Sequence, residues 1–278
     1  MSYEAYAKQI TQIKPAAPVF VAFLDILGFS DFVKNNSHAE VVKIYQAVFR
    51  SIIDMTLTET AEQLLPESQW LKDITNPNNH DLSPKLDNVS INVLSISDSI
   101  ILSTTDDEFK NLIKLIATVR NIMARTLYFG FPLRGAITHG MLTLDSQESF
   151  GQSKIIHHQM FGLPIVEAAE LEKIQHWSGC VIHENVALHI GYKLRGLDYT
   201  MLVPYEIPLK DKTPELMLAV NWVYTFLESD QKDINSQRIK DSFASHRKTT
   251  NNATVLIDNT IKFFEAMKHY TSIVTEDI

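Results

Sequence analysis

The order of apolar segments predicts an α+β fold, a ferredoxin-like βαββαβ core followed by a C-terminal helical extension. Three observations lead there. The first is an apolar run, PVFVAFLDILGF from Pro18 to Phe29, with the Val and Phe content of a strand buried on both faces. The second is a paired run in mid-chain, SINVLSISDSIILST over residues 90–104, which reads as two short strands meeting in a tight hairpin at Asp98. The third is that helical patterns stand on both sides of this hairpin. Strands and helices therefore interleave without the strict alternation of a parallel sheet, which favours an antiparallel or mixed sheet with helices on one face.

Taken in order, residues 1–16 are a polar leader, and MSYEAYAKQI lacks the apolar stretch of a signal peptide. The first strand ends in a turn at Gly28. Ser37-His38-Ala39-Glu40 has the spacing of a capping box, and Val41, Tyr45, Val48, Phe49 and Ile52 follow at helical spacing. A second helical stretch runs to about Leu65, and residues 72–88 are a loop by their Asn, Asp and Pro content. Thr105-Asp106-Asp107-Glu108 predicts another capping box. It opens a helix with the stripe Phe109, Leu112, Ile116, Val119 and Met123, ended by Gly130 and Pro132. LRGAITHG is a strand. MFGLPIVEAAELEK is a turn and helix with Pro164 in the first turn, where its missing N–H costs nothing. CVIH and MLVPYEI are short strands, and from Thr213-Pro214-Glu215 onward the pattern predicts three helices. The chain thus divides into 1–16, a main domain over 17–208 and an extension over 209–278.

Composition excludes several classes of function. The chain has 278 residues, 45% apolar and 21% charged, which is neither disordered, fibrous nor a disulfide scaffold. Lys plus Arg number 25 against 33 Asp plus Glu, a formal charge of -8 with no basic block, so nonspecific nucleic-acid binding is not expected. Cys180 is alone, which rules out an internal disulfide and suits a reducing cytoplasm. The longest apolar run is cut by Asp25 and is too short for a membrane span.

Two aspartates stand where aspartate is expensive. Asp25 lies inside VFVAFLDILGF and Asp98 inside VLSISDSIIL, with no Lys or Arg close in sequence to either. An ionised carboxylate in an apolar strand carries a desolvation cost unless it is paired or metal-bound. A ferredoxin-like core brings the end of the first strand beside the central hairpin, where the two carboxylates repel and a divalent cation relieves them. The competing reading is a loop-edge Asp bonded to backbone N–H groups. Ile26-Leu27-Gly28-Phe29-Ser30 follows as a strand-to-helix turn whose N–H groups suit phosphate oxygens. No Walker A motif or GxGxxG occurs, and an aspartyl-phosphate chemistry that needs a second acid two residues on finds Leu27 there.

These residues resemble a family. FLDILGFS is similar to the FxDIxGFT strand-turn of class III nucleotide cyclases. ISDSIIL, from Ile96 to Leu102, stands where their central hairpin carries its second metal aspartate. LRGAITHG (Leu133 to Gly140) resembles their RxGIHTG strand, and GLPIVEAAELE (Gly162 to Glu172) their GxxVNxAARLE helix. The four lie in the family's order and spacing over about residues 18–205, and their style is most similar to the Pycsar anti-phage pyrimidine cyclases. The resemblance implies that UTP or CTP is closed to a 3',5'-cyclic monophosphate, a second messenger in anti-phage defence. It implies two divalent metal ions, Mn2+ or Mg2+, held by Asp25, Asp98 and the Ile26 carbonyl. It further implies nucleotide contacts from the backbone of Ile26, Leu27, Gly28, Phe29 and Ser30, and a homodimer with active sites between subunits; Phe23 and Tyr45 are further candidate nucleotide contacts.

The sequence departs from the family at one place. The helix motif's Asn and Arg align with Val166 and Glu170, and Glu cannot meet negative charge developing on a leaving diphosphate. Arg134 is the first substitute, with Lys154 and Arg195 behind it; the alternative is that Arg134 is a solvated strand-edge residue, or that the chain is a noncatalytic nucleotide-binding protein. Tyr45 either narrows a base pocket to pyrimidine size or is a half-buried residue of its helix stripe. His157-His158 point apart and read as exposed, His139 reads as structural, and Cys180 as a buried small hydrophobe.

Overall fold

The structure is a computed structural model that describes residues 16–62, 91–150, 154–191, 193, 197–210, 212–229, 233–249 and 253–276. The 1–15 part of the leader, the whole 72–88 loop and Arg195 lie outside the described residues, as do the side chains of Lys154, His157 and His158.

The first strand, β1 (Ala17–Ile26), sits in the middle of an eight-stranded sheet. β2 (Asn92–Ile96) and β3 (Ser99–Ser103) form the central hairpin, and β4 (Leu133–Phe150) flanks β1 on the other side. The order β2-β3-β1-β4, with every neighbouring pair antiparallel, is that of a ferredoxin-like core. β6 (Cys180–Ile182) adds in parallel to β4, and β8 (Glu215–Val220) and β7 (Leu202–Ile207) continue the sheet. β5 (Lys154–Phe161) pairs with the far half of β4. The fold is α+β, as the segment order predicts.

Alternation along β1 decides which face does what. Phe20, Ala22, Leu24 and Ile26 enter the main core, beneath the long helix α4 (Phe109–Tyr128), while Val19, Val21, Phe23 and Asp25 point to the opposite face. Between β1 and β2 run α1 (Phe29–Asn35), α2 (His38–Ile44) and α3 (Ser51–Glu62). A π-helical stretch, Tyr45–Arg50, joins the last two. The Ser37 capping box forms: Ser37 Oγ accepts from the Glu40 N–H, and Glu40 Oε2 accepts from the Ser37 N–H at 2.9 Å. Helix α5 (Leu163–Ile174) covers part of the second face of the sheet, and α6 (Glu184–Ile190) follows β6. The extension ends in three helices, α7 (Val223–Glu228), α8 (Ser236–Ala244) and α9 (Thr254–Glu276): α7 and α8 pack against α4, and α9 packs against α7 and α8, with Phe263 against Trp177, Tyr205 and Trp222. No helix among the described residues is long and apolar enough to cross a membrane.

Two local expectations are corrected. Residues 215–220 are a strand, not the start of a helix, so the three helices begin only at Val223. Leu, Met and Ala favour helix locally, but β7 pairs with this segment over its whole length, and backbone pairing outweighs a weak propensity. The Thr105–Glu108 box does not form, because the helix begins at Phe109 and Glu108 itself is the N-cap. Asp106 takes over, its Oδ1 accepting from the Glu108 N–H at 2.9 Å and from the Asn111 amide.

Candidate active site

Register builds the site. In the antiparallel pairing Asp25 stands opposite Ser99 on β3 and opposite Arg134 on β4, so the three side chains share one face of the sheet. Ser99 Oγ donates to Asp25 Oδ1 at 3.3 Å. Asp98 lies in the β2–β3 turn, which Ser97 enters at φ 56, and its carbonyl accepts from the Ile26 N–H at 2.9 Å. The hairpin tip is thereby tied to the end of β1, bringing Asp98 beside Asp25 as the segment order predicts. Burial, followed by the negative charges of Glu172 and Asp98, pushes the Asp25 carboxyl up to about 7, against the opposing pull of Arg134 and Ser99. An acid crowded by two others is a donor set that a divalent cation fits, since cation charge removes the repulsion.

Arg134 is not a solvated strand-edge residue. β4 lies between β1 and β6, and the side chain is buried, 2.5 Å from Glu172 Oε1 on α5 and donating through Nη1 to the Gln175 carbonyl at 3.0 Å. Its guanidinium is engaged on two sides, so in this arrangement it balances the acids rather than presenting an unengaged cation to a ligand. Val166 and Glu170 are exposed on α5.

The turn after β1 divides. The Ile26 and Leu27 N–H groups donate to the Asp98 and Pro132 carbonyls, both at 2.9 Å, so these two amides serve the fold rather than an anion. Gly28 is left-handed at φ 78, Phe29 is half-buried and Ser30 exposed at the start of α1. Beneath Gly28 lies Lys248, whose Cδ is 3.0 Å from where a Cβ on Gly28 would stand. Lys248 is buried, Nζ donates to the Gly130 carbonyl at 2.6 Å, and burial pulls its ammonium down to about 7.

Tyr45 opens the π-helical stretch and faces the hairpin, with its hydroxyl 3.4 Å from the Ser97 carbonyl. Burial and the Asp98 charge hold its phenol above the usual value. It lines a cavity of about 570 Å³ together with Phe29, Phe49, Val93, Ser95 and Ser97. Phe23, half-buried on the Asp25 face, stands opposite Ile101 and Ala136.

Sequence alone does not mark Glu172, Ser99 or Lys248 as part of the site. Ser99 and Glu172 sit inside motifs already noticed, but only strand register and helix docking make them partners of Asp25 and Arg134. Nothing local points to Lys248.

No protein-family model matches the chain, and no curated protein matches its sequence. Among solved structures it is similar to the catalytic core of a rhodopsin-guanylyl cyclase with converted specificity in complex with ATPαS: 15% identity, TM-score 0.47, covering 76% of this chain and 98% of that one. It is similar to the guanylate cyclase domain of RhGC from Catenaria anguillulae in complex with GTP, at 14% identity and TM-score 0.47 over 74% and 97% of the two chains. The adenylyl cyclase CyaB from P. aeruginosa is similar at 14% identity and TM-score 0.42 over 75% and 95%.

Proposed function

We propose that the chain is a nucleotide cyclase that closes UTP or CTP to its 3',5'-cyclic monophosphate. The observation that carries this reading is the meeting of Asp25 and Asp98 at the end of β1, with the Asp25 carboxyl raised by burial and its acidic neighbours. In the reaction the 3'-oxygen forms a bond to the α-phosphorus, the bond from that phosphorus to the oxygen bridging to the β-phosphate breaks, diphosphate departs, and the 3'-hydroxyl proton passes to solvent. Asp25, Asp98 and the Ile26 carbonyl would hold two Mn2+ or Mg2+ ions. When bound, these lower the pKa of the attacking hydroxyl and neutralise the triphosphate.

The chain's own groups orient that chemistry. Ser99 holds Asp25 by a hydrogen bond, and Arg134, bound to Glu172 and the Gln175 carbonyl, acts on Asp25 through its charge, which makes Arg134 a positioning residue. The stretch of turn that meets phosphate oxygens begins at Gly28, because Ile26 and Leu27 amides are already engaged, and includes Phe29 and Ser30. Tyr45 closes the wall of the cavity, with Phe29 and Phe49 beside it, and narrows it for a pyrimidine ring, while Phe23 lies on the Asp25 face of the sheet. Two copies assemble as a homodimer with the sites between them. This assembly is supported by exposed Ile96, Leu163 and Val166, apolar side chains with 58%, 66% and 52% exposure on the hairpin and α5. A cytoplasmic setting fits the single buried Cys180. A role in anti-phage signalling rests on the sequence resemblance alone.

One observation favours a second reading, a noncatalytic nucleotide-binding protein: Val166 and Glu170 occupy the places of the family's Asn and Arg. Incubating the chain with each of the four ribonucleoside triphosphates and Mn2+ separates the two. Cyclic UMP or CMP with diphosphate is the expected result. Tight nucleotide binding without any cyclic product supports the second reading.

A further inference from the structure

A second cluster of ligating side chains lies at the other end of the sheet. Asp107 precedes α4, His139 is on β4 and His189 is on α6. His139 Nε2 stands 3.2 Å, and His189 Nε2 3.1 Å, from the same oxygen, Asp107 Oδ2. His139 faces Phe20 across the β1–β4 ladder, as Arg134 faces Asp25, so the two clusters are separated by five residues of strand, roughly 16 Å.

We propose that Asp107, His139 and His189 form a binding site for one zinc-class divalent ion, separate from the Asp25 and Asp98 pair. Three features carry this. First, the ligand atoms all lie within 4.8 Å of one another, and the two nitrogen–oxygen separations are close to the edge of about 3.3 Å that a tetrahedron of 2.0–2.1 Å bonds requires. Two imidazoles and one carboxylate with an open side suit zinc, whereas Mg2+ prefers oxygen ligands throughout.

Second, the ligands come from three elements held together independently of any metal. Asn185, one turn before His189 on α6, locks that helix to β4 at the His139 residue itself. Its Oδ1 accepts from the His139 N–H at 3.0 Å, and its Nδ2 donates to the His139 carbonyl at 2.9 Å and to Glu167 Oε2 at 2.7 Å. Residues 185 and 189 share a helix face, so this clamp sets His189 beside His139. Third, the floor is apolar. Phe20 packs under both rings, at 5.2 Å from His139 and 5.9 Å from His189.

The rings lie face to face, 3.8 Å and 15° apart, with both Nε2 atoms on one oxygen. An ion must lie near the plane of each ring, so binding requires His189, the more exposed of the two, to turn about its ring bond. Bound metal then ties α6 to β4 and to the loop before α4.

The test uses the full chain freed of metal by chelator and titrated with Zn2+ in excess Mg2+. Bound metal is counted and the melting temperature followed. The expected result is one Zn2+ per chain with a rise in melting temperature. Affinity should fall at least about tenfold in His189→Gln and in Asp107→Asn and be retained in Asp25→Asn. His189 is exposed, so His189→Gln leaves the fold intact and keeps the test valid if Asp107→Asn fails to fold. Absence of stoichiometric Zn2+, or binding undiminished in His189→Gln, overturns the site and leaves a hydrogen-bonded His–Asp–His clasp. Either result is independent of whether the chain cyclises nucleotides.

Discussion

Asp25 carries opposite consequences for folding and for activity. Its carboxyl is partly buried beside two other acids, so the metal-free fold is better off without its charge. Asp25→Asn should therefore melt no lower than the parent, and should lose all detectable cyclisation. A variant that turns over within about tenfold of the parent, a cost of only ~1.4 kcal/mol, would show that Asp25 holds no metal. Arg134 and Glu172 behave in the reverse manner. Arg134→Met leaves Glu172 charged, buried and unpaired, and should lower stability in urea by about 3–5 kcal/mol, whereas Arg134→Met combined with Glu172→Leu should recover much of it. If the double variant is no better than the single, Arg134 stabilises through other contacts.

Lys248 gives a pH signature at the same scale. Its ammonium falls from the ordinary 10.5 to about 7 in the fold because burial penalises the charge. Between those values the unfolded chain binds more protons than the native one, so stability rises with pH through this window. The burial cost is fully present below about 7 and gone above about 10.5. Lys248→Met should be more stable than the parent on the acid side and should flatten that rise, read from urea midpoints across the window. A parent curve that falls between the two values would contradict the assignment.

At the scale of elements, the turn after β1 is held from the far end of the chain. Residues 245–249 cross α1, where the Asn35 and Asn36 amides donate to the Arg247 and His246 carbonyls at 2.8 and 2.9 Å, and the Lys248 stem fills the space beside Gly28. Gly28→Ala should cost about 1–2 kcal/mol through its left-handed φ alone. The added Cβ also meets Lys248 Cδ, so nucleotide affinity should weaken with stability, as measured by calorimetry. A Gly28→Ala chain with the parent's melting point and affinity would show that this turn tolerates a side chain.

The elements also show what a sequence can disclose. β1, the β2–β3 hairpin and the strand at Leu133 are legible because each is a local apolar pattern bounded by turn residues, and Asp25 and Asp98 stand out because they violate that pattern. What stays hidden is register and docking. Ser99 becomes a donor to Asp25, and Glu172 a partner of Arg134 across 38 residues, only when strands pair and α5 lies down on the sheet. Residues 215–220 are misread for the complementary reason, since a local helix preference yields to a partner strand that the local pattern does not reveal.

For the whole molecule, the ferredoxin-like core places Asp25 and Asp98 on a face of the sheet that α5 only partly covers, with exposed Ile96, Leu163 and Val166 beside it. A second copy covering this face should make the protein a dimer in sedimentation, and a charged substitution, Val166→Glu, should shift it toward monomer and reduce turnover together. Monomers that retain full turnover would place the complete site in one chain. The chemistry at Asp25 and Asp98 is tested by product analysis with UTP, CTP, ATP and GTP in the presence of Mn2+, run beside Asp98→Asn. The expected products are a cyclic pyrimidine monophosphate and equimolar diphosphate from the parent and none from the variant. A product made equally by Asp98→Asn, or no cyclic nucleotide from any of the four substrates, would contradict that chemistry.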